Sequence, residues 1–150
     1  MKRVPLLAAA TLVAASTSLA LGTAPASAAG AIQFGRAQYD SPGSDTRTNT
    51  SLNAEYIVIK NLGTTNRSLR GWTVRDASNH VYTFGTYTLA AGRSVTLHTG
   101  KGTNTAAHRY WGSGSYIWNN PADKALLRTP TGTAADACSW TTTGAGYKYC

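Results

Sequence analysis

Acidic side chains are scarce in this sequence, and their scarcity limits the catalytic chemistry that it can carry. The 150 residues hold 6 Asp and Glu against 14 Lys and Arg, so the formal net charge is +8. A glycosidase needs two carboxylates in one cleft, and a zinc hydrolase of the H-E-x-x-H type needs paired histidines. The acids and the three histidines His80, His98 and His108 form no such motif, and no phosphate loop or dinucleotide fingerprint occurs. We therefore predict a protein that is not an enzyme, with no catalytic residue, no metal ligand and no cofactor.

Long apolar segments are absent beyond the first 28 residues. The one such run, Val4–Leu21, follows a short positive segment and precedes a small-x-small site that ends at Ala28. This order is typical of a secretory signal peptide over residues 1–28, with a membrane anchor as the alternative. No later segment reaches the ~20 apolar residues that a spanning helix needs. We expect cleavage after Ala28, a secreted, extracellular domain over 29–150, and no membrane span after cleavage.

Cysteine is also rare, with Cys138 and Cys150 the only two. Two cysteines allow one intramolecular pair, and an exported protein meets an oxidising compartment. We therefore predict a Cys138–Cys150 disulfide that fixes the last residues to the body of the protein. A free thiol pair and a metal site are the alternatives. Spacing far from C-x-x-C and the lack of a nearby histidine speak against metal.

No helical periodicity of useful length follows the apolar run, whereas short segments of strand character recur between turns. Glu55–Asn61 is the strongest. Its alternation places Glu55, Ile57 and Ile59 on one face and Tyr56, Val58 and Lys60 on the other, and apolar residues on both faces predict a central strand. We interpret Glu55, which opens this strand, as a residue at the rim of the sandwich or a structural hydrogen-bonding residue rather than an acid catalyst. The pattern predicts an all-β sandwich. The other expected strands are Ala31–Tyr39, Leu69–Arg75, His80–Phe84, Ser94–Thr99, Lys124–Arg128 and Ala135–Trp140.

Two segments lack a strand pattern and are predicted to be loops. Asp40–Asn53 consists almost entirely of turn-forming residues, and Thr99–Ser115 is rich in glycine. Oxygen-bearing side chains in and beside the first loop offer a calcium site as an alternative, although such residues usually bond their own backbone. These side chains are Asp40, Asp45, Asn49, Asn53 and Glu55.

Several segments together resemble one known family, the lamin tail domain. They are EYIVIKN at Glu55–Asn61, the Gly71-Trp72 pair, VYTFGTYTLAAGRSVTLHTGKGT at Val81–Thr103, and WNNPADKALLRTPTG at Trp118–Gly132. The resemblance implies an immunoglobulin-like β-sandwich and a non-catalytic module that binds protein, nucleic acid or membrane-associated partners. No heptad rod precedes Ile32 and Cys150 is the final residue, so the chain resembles the exported bacterial type rather than a nuclear lamin.

Basic and aromatic residues supply the candidate binding surfaces. The basic candidates are Arg67, Arg70 and Arg75, and the aromatic ones are Tyr110, Trp111 and Tyr116. Trp72 and Trp118 are instead expected in the core. The expected partner is an extracellular protein or an anionic cell-surface polymer, and nucleic acid is an alternative without a motif. We expect a monomeric extracellular binding or structural module, with assembly through a strand edge and a small secreted hydrolase as alternatives.

Overall fold

The computed structural model describes residues 30–141 and 144–150, so the expected signal peptide lies outside the described residues. The described chain contains eleven strands and one short helix. In chain order they are β1 (Ile32–Gln38), α1 (Asn49–Ala54), β2 (Tyr56–Asn61), β3 (Arg67–Ser68), β4 (Thr73–Arg75), β5 (Val81–Thr83), β6 (Thr88–Leu89), β7 (Ser94–His98), β8 (His108–Tyr110), β9 (Ala122–Arg128), β10 (Ala134–Thr141) and β11 (Tyr147–Tyr149).

The strands form two main sheets that pack face to face. One has five strands in the order β11-β1-β2-β7-β8, and the other has four in the order β10-β9-β4-β5. A small pair, β3-β6, lies apart from both. Buried side chains from both main sheets make one hydrophobic cluster, which confirms the predicted all-β sandwich.

Strand β2 lies near the middle of the five-stranded sheet, between β1 and β7. Its side chains alternate, so that Ile57 and Ile59 are fully buried while Tyr56, Val58 and Lys60 are half exposed. The predicted central strand is therefore confirmed. Polar residues on its second face show that this face of the sheet meets solvent.

Tryptophans fill the space between the two sheets. Trp72 and Trp118 are both buried, as predicted. Trp118 makes T-shaped contacts with Trp140 and Trp111, with ring centroids 5.8 and 5.9 Å apart. Such edge-to-face pairs add to the stabilisation that burial of the rings provides.

Both predicted loops contain regular structure, and here the sequence-based prediction was wrong. Within Asp40–Asn53, helix α1 begins after Thr48, whose hydroxyl accepts a hydrogen bond from the Ser51 amide, and it buries Leu52. A Thr cap and one apolar anchor are enough for a six-residue helix, but they are too little for periodicity to reveal it. Within Thr99–Ser115, strand β8 pairs with β7 in parallel.

The C-terminal residues add an unexpected strand to the sheet. Strand β11 pairs with β1 at the sheet edge, and the Cys150 amide donates to the Gly35 carbonyl at 2.9 Å. The predicted disulfide is confirmed: Cys138 on β10 is bonded to Cys150, with 5.5 Å between their Cα atoms. The bridge therefore links the edges of the two main sheets.

Over the described residues, no helix has the length and apolar character that crossing a membrane requires.

Candidate binding face

The side of the five-stranded sheet that points away from the core, here called the outer face, is the most extensive candidate site. Residues paired across neighbouring strands share one face of a sheet, so the strand register identifies its members. Tyr56 is paired with Gln38 on one side and with His98 on the other. Gln38 is in turn paired with Tyr147, and His98 with Tyr110. These five residues form one continuous row that crosses all five strands, which we call the aromatic row.

Contacts within the aromatic row are close. The ring centroids of Tyr56 and His98 are 5.9 Å apart, and those of His98 and Tyr110 are 5.0 Å apart with the planes inclined by 19°. The Gln38 amide is buried and donates to the Asp40 carbonyl at 2.7 Å. Three neighbouring rings of the row, those of Tyr56, His98 and Tyr110, therefore pack in sequence, and the buried Gln38 separates them from Tyr147.

A second row lies beside the first and contains the cationic Arg36. Its members are Tyr149, Arg36, Val58, Thr96 and His108. Arg36 is paired with Tyr149 across β1 and β11, and its guanidinium lies 4.2 Å from the Tyr147 ring centroid and 5.9 Å from that of Tyr149. Tyr147 is 38% exposed and Tyr149 is 66% exposed. The two tyrosines and Arg36 therefore form an accessible cation–π cluster at one end of the outer face.

A register shift in β1 helps to place the cationic side chains. The pairing of β1 with β2 is interrupted between Phe34 and Ala37, which leaves room for Gly35 and Arg36 in a bulge. A Cβ atom on Gly35 would lie 2.4 Å from Cε of Lys60. Glycine at this position therefore lets the Lys60 side chain cross β1.

At the other end of the outer face, two histidines are joined by a hydrogen bond. His98 Nδ1 lies 2.8 Å from the Asn53 carbonyl oxygen, which can only accept, so this nitrogen carries the proton. His98 Nε2 then accepts from His108 Nδ1, 3.0 Å away. Burial lowers the pKa of His98, and the nearby His108 acts in the same direction.

Negative charge is absent from the strands that build the outer face. The five strands contain no Asp or Glu, whereas Arg36 and Lys60 both belong to this face. The acids nearest to these strands in the chain are Asp40, which accepts from the Asn120 amide, and Glu55, which is buried. The outer face therefore has a positive potential and suits an anionic ligand.

Glu55 opens β2 and acts inside the sandwich. Its Oε1 accepts from the Thr99 hydroxyl at 2.6 Å and from the Ile117 amide at 2.8 Å. Burial raises the pKa of Glu55 to about 7, although these hydrogen bonds favour the ionised form. Its position agrees with the structural role expected from the sequence: it ties β2 to the segment that leads into Trp118.

The outer side of the four-stranded sheet has a different composition. Arg75 is paired with Val81 and Leu126, and Arg128 with Thr73, while Lys124 lies exposed on β9. No aromatic residue shares this side in the described strands, because Tyr82 and Trp140 point into the sandwich. The two sheet sides thus share basic character but differ in aromatic content.

The three arginines proposed from the sequence occupy different elements. Arg67 is half buried on β3, and Arg70 is exposed in the connection to β4. Arg75 lies on β4, where its guanidinium donates to the Asn79 side chain. None of the three belongs to the five-stranded sheet.

The three aromatic candidates are also separated. Tyr110 belongs to the aromatic row, but Trp111, its neighbour in the chain, points the other way and packs against the core. The hydroxyl of Tyr116 is 2.6 Å from that of Ser51 on α1. Only Tyr110 among them therefore contributes to the outer face.

Most of the outer face was not found from the sequence. Alternation along Glu55–Asn61 correctly separates Tyr56 and Lys60 from the buried isoleucines. The row could not be assembled, however, because β8 and β11 were not predicted and supply both of its ends. The exposed Tyr147 and Tyr149, two residues apart, were the available signal for β11.

One histidine does lie beside a carboxylate, in an arrangement typical of a turn. His80 Nδ1 is 2.6 Å from Asp76 Oδ2, and the His80 amide donates to the other carboxylate oxygen. Asp76 is buried and the His80 side chain is 54% exposed. The pair closes the β4–β5 turn, and it does not line the cavities of about 230 and 310 Å³ found among the described residues. For the hydrolase alternative, the structure thus offers a His–Asp pair that lies outside both of these cavities.

Two of the residues considered for calcium, both asparagines, make hydrogen bonds to backbone. Asn49 and Asn53 both donate to the Lys101 carbonyl at 2.9 Å, which fixes α1 to the end of β7. In the described ranges, no three His, Cys, Asp or Glu side chains are grouped as metal ligands would be. These asparagines therefore have a structural role.

Comparison with known proteins gives the family. No curated protein matches the chain. A family model, Lamin Tail Domain, matches residues 25–142, which is most of the sequence. Lamin tail domains are immunoglobulin-like and, in general, non-catalytic modules, and the two packed sheets seen here agree with that architecture. The chain belongs to the lamin tail domain family.

Proposed function

We propose that this protein is a secreted lamin tail domain of the exported bacterial type that acts outside the cell as a non-catalytic binding module. Residues 1–28 serve as the signal peptide and 29–150 as the working domain. The outer face contacts an anionic partner, either a cell-wall polymer or an extracellular protein. The observation that carries the proposal is an acid-free sheet face on which Arg36, Lys60 and a row of rings lie together.

The disulfide and the N-terminal segment support the extracellular location. A Cys138–Cys150 bridge is stable in an oxidising compartment, whereas cytosolic thiols are kept reduced. The N-terminal segment has the charge, the apolar run and the cleavage site of a signal peptide. Both features support export of the protein.

Retention on isolated cell envelopes at low salt tests the proposal. The Arg36→Gln/Lys60→Gln variant removes two positive charges from the outer face. We expect the amount of this variant retained on the envelopes to be lower than that of the wild type by about tenfold or more. The matched control, Lys124→Gln/Arg128→Gln, removes the same charge from the other sheet and should be retained normally. A third variant with Gln at Arg67, Arg70 and Arg75 tests the arginines suggested by the sequence.

Raising the salt concentration should release the wild-type protein, because exposed charges are screened within about 8 Å at physiological ionic strength. N-terminal sequencing of protein from the medium should begin at Ala29. Equal loss in both double variants would contradict a specific face, and protein that stays inside the cell with Met1 intact would contradict export.

A further inference from the structure

We infer that the ligand of the outer face is a linear polysaccharide that carries acidic groups on only some of its sugars and lies across the strands along the aromatic row. This inference rests on the proposed binding function and names the chemistry of its partner.

The aromatic row suits a chain of sugar rings. Neighbouring strands are about 4.8 Å apart, so its five positions extend over roughly 19 Å. One strand spacing is close to the length of one sugar residue in an extended chain. Sugars offer C–H faces to aromatic rings, and tyrosine also supplies a hydroxyl for hydrogen bonds. The row places Tyr147, Tyr56 and Tyr110 at the first, third and fifth positions.

Neutral polar groups accompany the rings. Thr96 lies between Val58 and His108 in the second row, and Ser94 is paired with Lys60. Ser and Thr hydroxyls both donate and accept, which matches the hydroxyl groups of a sugar. The outer face therefore provides stacking and hydrogen bonding along the same direction.

The number of positive charges favours a sparsely charged polymer over nucleic acid. Arg36 and Lys60 are the two permanent cations on the described strands that point to this face. Lys148 is paired with the buried Ala37 and so points to the other side of β11, and Arg109 lies over the Tyr87 ring. A nucleic acid carries one negative charge per nucleotide, and proteins that bind single strands line the whole path with cations. Two cations over five positions fit a chain in which only some residues are charged.

The outer face is also held in shape at both ends. The disulfide fixes β11, which carries Tyr147, and the parallel β8 carries Tyr110. Gly102, in the loop that precedes β8, allows the Tyr110 ring to lie close to the backbone, because a Cβ there would be 2.4 Å from the ring. A preorganised surface of this kind loses little conformational entropy on binding.

Calorimetric titration of the purified protein with defined polymers tests the inference. The probes are hyaluronan oligosaccharides with one carboxylate per two sugars, fully charged polygalacturonate, neutral dextran, and a 20-nucleotide oligo-dT. We expect hyaluronan to bind most tightly, with a salt dependence that corresponds to about two released ions. Tyr56→Ala and Tyr147→Ala should each weaken that binding about five- to tenfold.

The control Val81→Ala removes an exposed apolar side chain from the other sheet and should leave the affinity unchanged. Tyr147 lies on an edge strand, so its variant folds even if Tyr56→Ala does not. Tighter binding of oligo-dT with a steeper salt dependence would overturn the inference in favour of nucleic acid. Retention on envelopes without binding of any polysaccharide would also overturn the inference but leave the proposed function standing. If the protein neither stays on envelopes nor binds a polysaccharide, both the inference and the proposed function are wrong.

Discussion

Glu55 shows how one buried carboxyl connects the sequence, the fold and the pH response. The sequence places it at the start of the strongest strand, and the structure buries it against Thr99 and Ile117. Alternation predicted its face correctly, because Glu55 shares parity with Ile57 and Ile59. Its partners could not be predicted, since they lie 44 and 62 residues further along the chain.

Replacing Glu55 with Gln should make stability less dependent on pH. The pKa of Glu55 is raised from 4.5 to about 7 in the folded protein. Below pH 4.5 the Glu55 carboxyl is neutral in both the folded and the unfolded protein, so its burial carries no charge penalty. As the pH rises to 7 and above, the carboxyl ionises more readily in the unfolded protein, and the free energy of unfolding falls by up to about 3 kcal/mol. Urea unfolding at pH 4.5 and pH 8 should show this loss in the wild type and not in Glu55→Gln. Parallel pH profiles for the two proteins would contradict it.

Among the elements, seven strands fall within segments expected from the sequence. Strands β1, β2, β7, β9 and β10 have five to eight residues, and β4 and β5 are three-residue strands inside the expected Leu69–Arg75 and His80–Phe84. Strands β8 and β11 have three residues each and are strands because a neighbouring strand pairs with them. Helix α1 depends in the same way on its attachment to β7 through Lys101. Local sequence carries little of this information.

The disulfide should stabilise β11 more than the rest of the sandwich. Cys138 and Cys150 are 12 residues apart, and the chain-entropy model gives a loop of this size about 3 kcal/mol. Cys138→Ser/Cys150→Ser should lower the free energy of unfolding by about 2–3 kcal/mol in urea titrations. Amide exchange should rise first in Tyr147–Tyr149, because this edge strand has one neighbour. Uniform faster exchange throughout β1, β2 and β7 would contradict a local effect.

At the scale of the whole molecule, both main sheets present basic, acid-free outer sides. Arg36 and Lys60 lie on one, and Arg75, Lys124 and Arg128 on the other. Two such sides repel each other, and Lys148 adds a charge to the β11 edge, where charged residues discourage strand pairing between molecules.

The protein should therefore remain a monomer over a wide concentration range. Light scattering at low salt should give one molar mass from micromolar to near-millimolar protein. A Lys148→Thr variant has an uncharged edge strand with a residue of high strand propensity, so its molecules should associate with one another more readily. Lys124→Thr, on the other sheet, is the control. A mass that rises with concentration in the wild type would contradict this expectation.

The architecture was predictable as a whole, whereas the candidate site was only partly so. Turn residues between short alternating segments indicated a sandwich, and the buried Trp72 and Trp118 behaved as expected. A surface assembled from five strands depends on their spatial order, β11-β1-β2-β7-β8, which differs from their order in the chain. Tyr56 and Tyr110 could each be recognised as an aromatic residue, but their membership of one row depends on register.

The pairing of β1 with β11 also determines how this chain folds. It pairs Gln38 with Tyr147, and the Gln38 side chain donates to the Gly146 carbonyl, 108 positions along the chain, so closing the sheet requires the two ends of the domain to meet. Contacts of such long range slow folding, because the loop must close before any of its bonds form. Because synthesis releases the first strand from the ribosome before the last residues, this sheet cannot be completed until synthesis has ended. The fold itself thus delays the final pairing, and with it the Cys138–Cys150 bond, until the C-terminal residues are free.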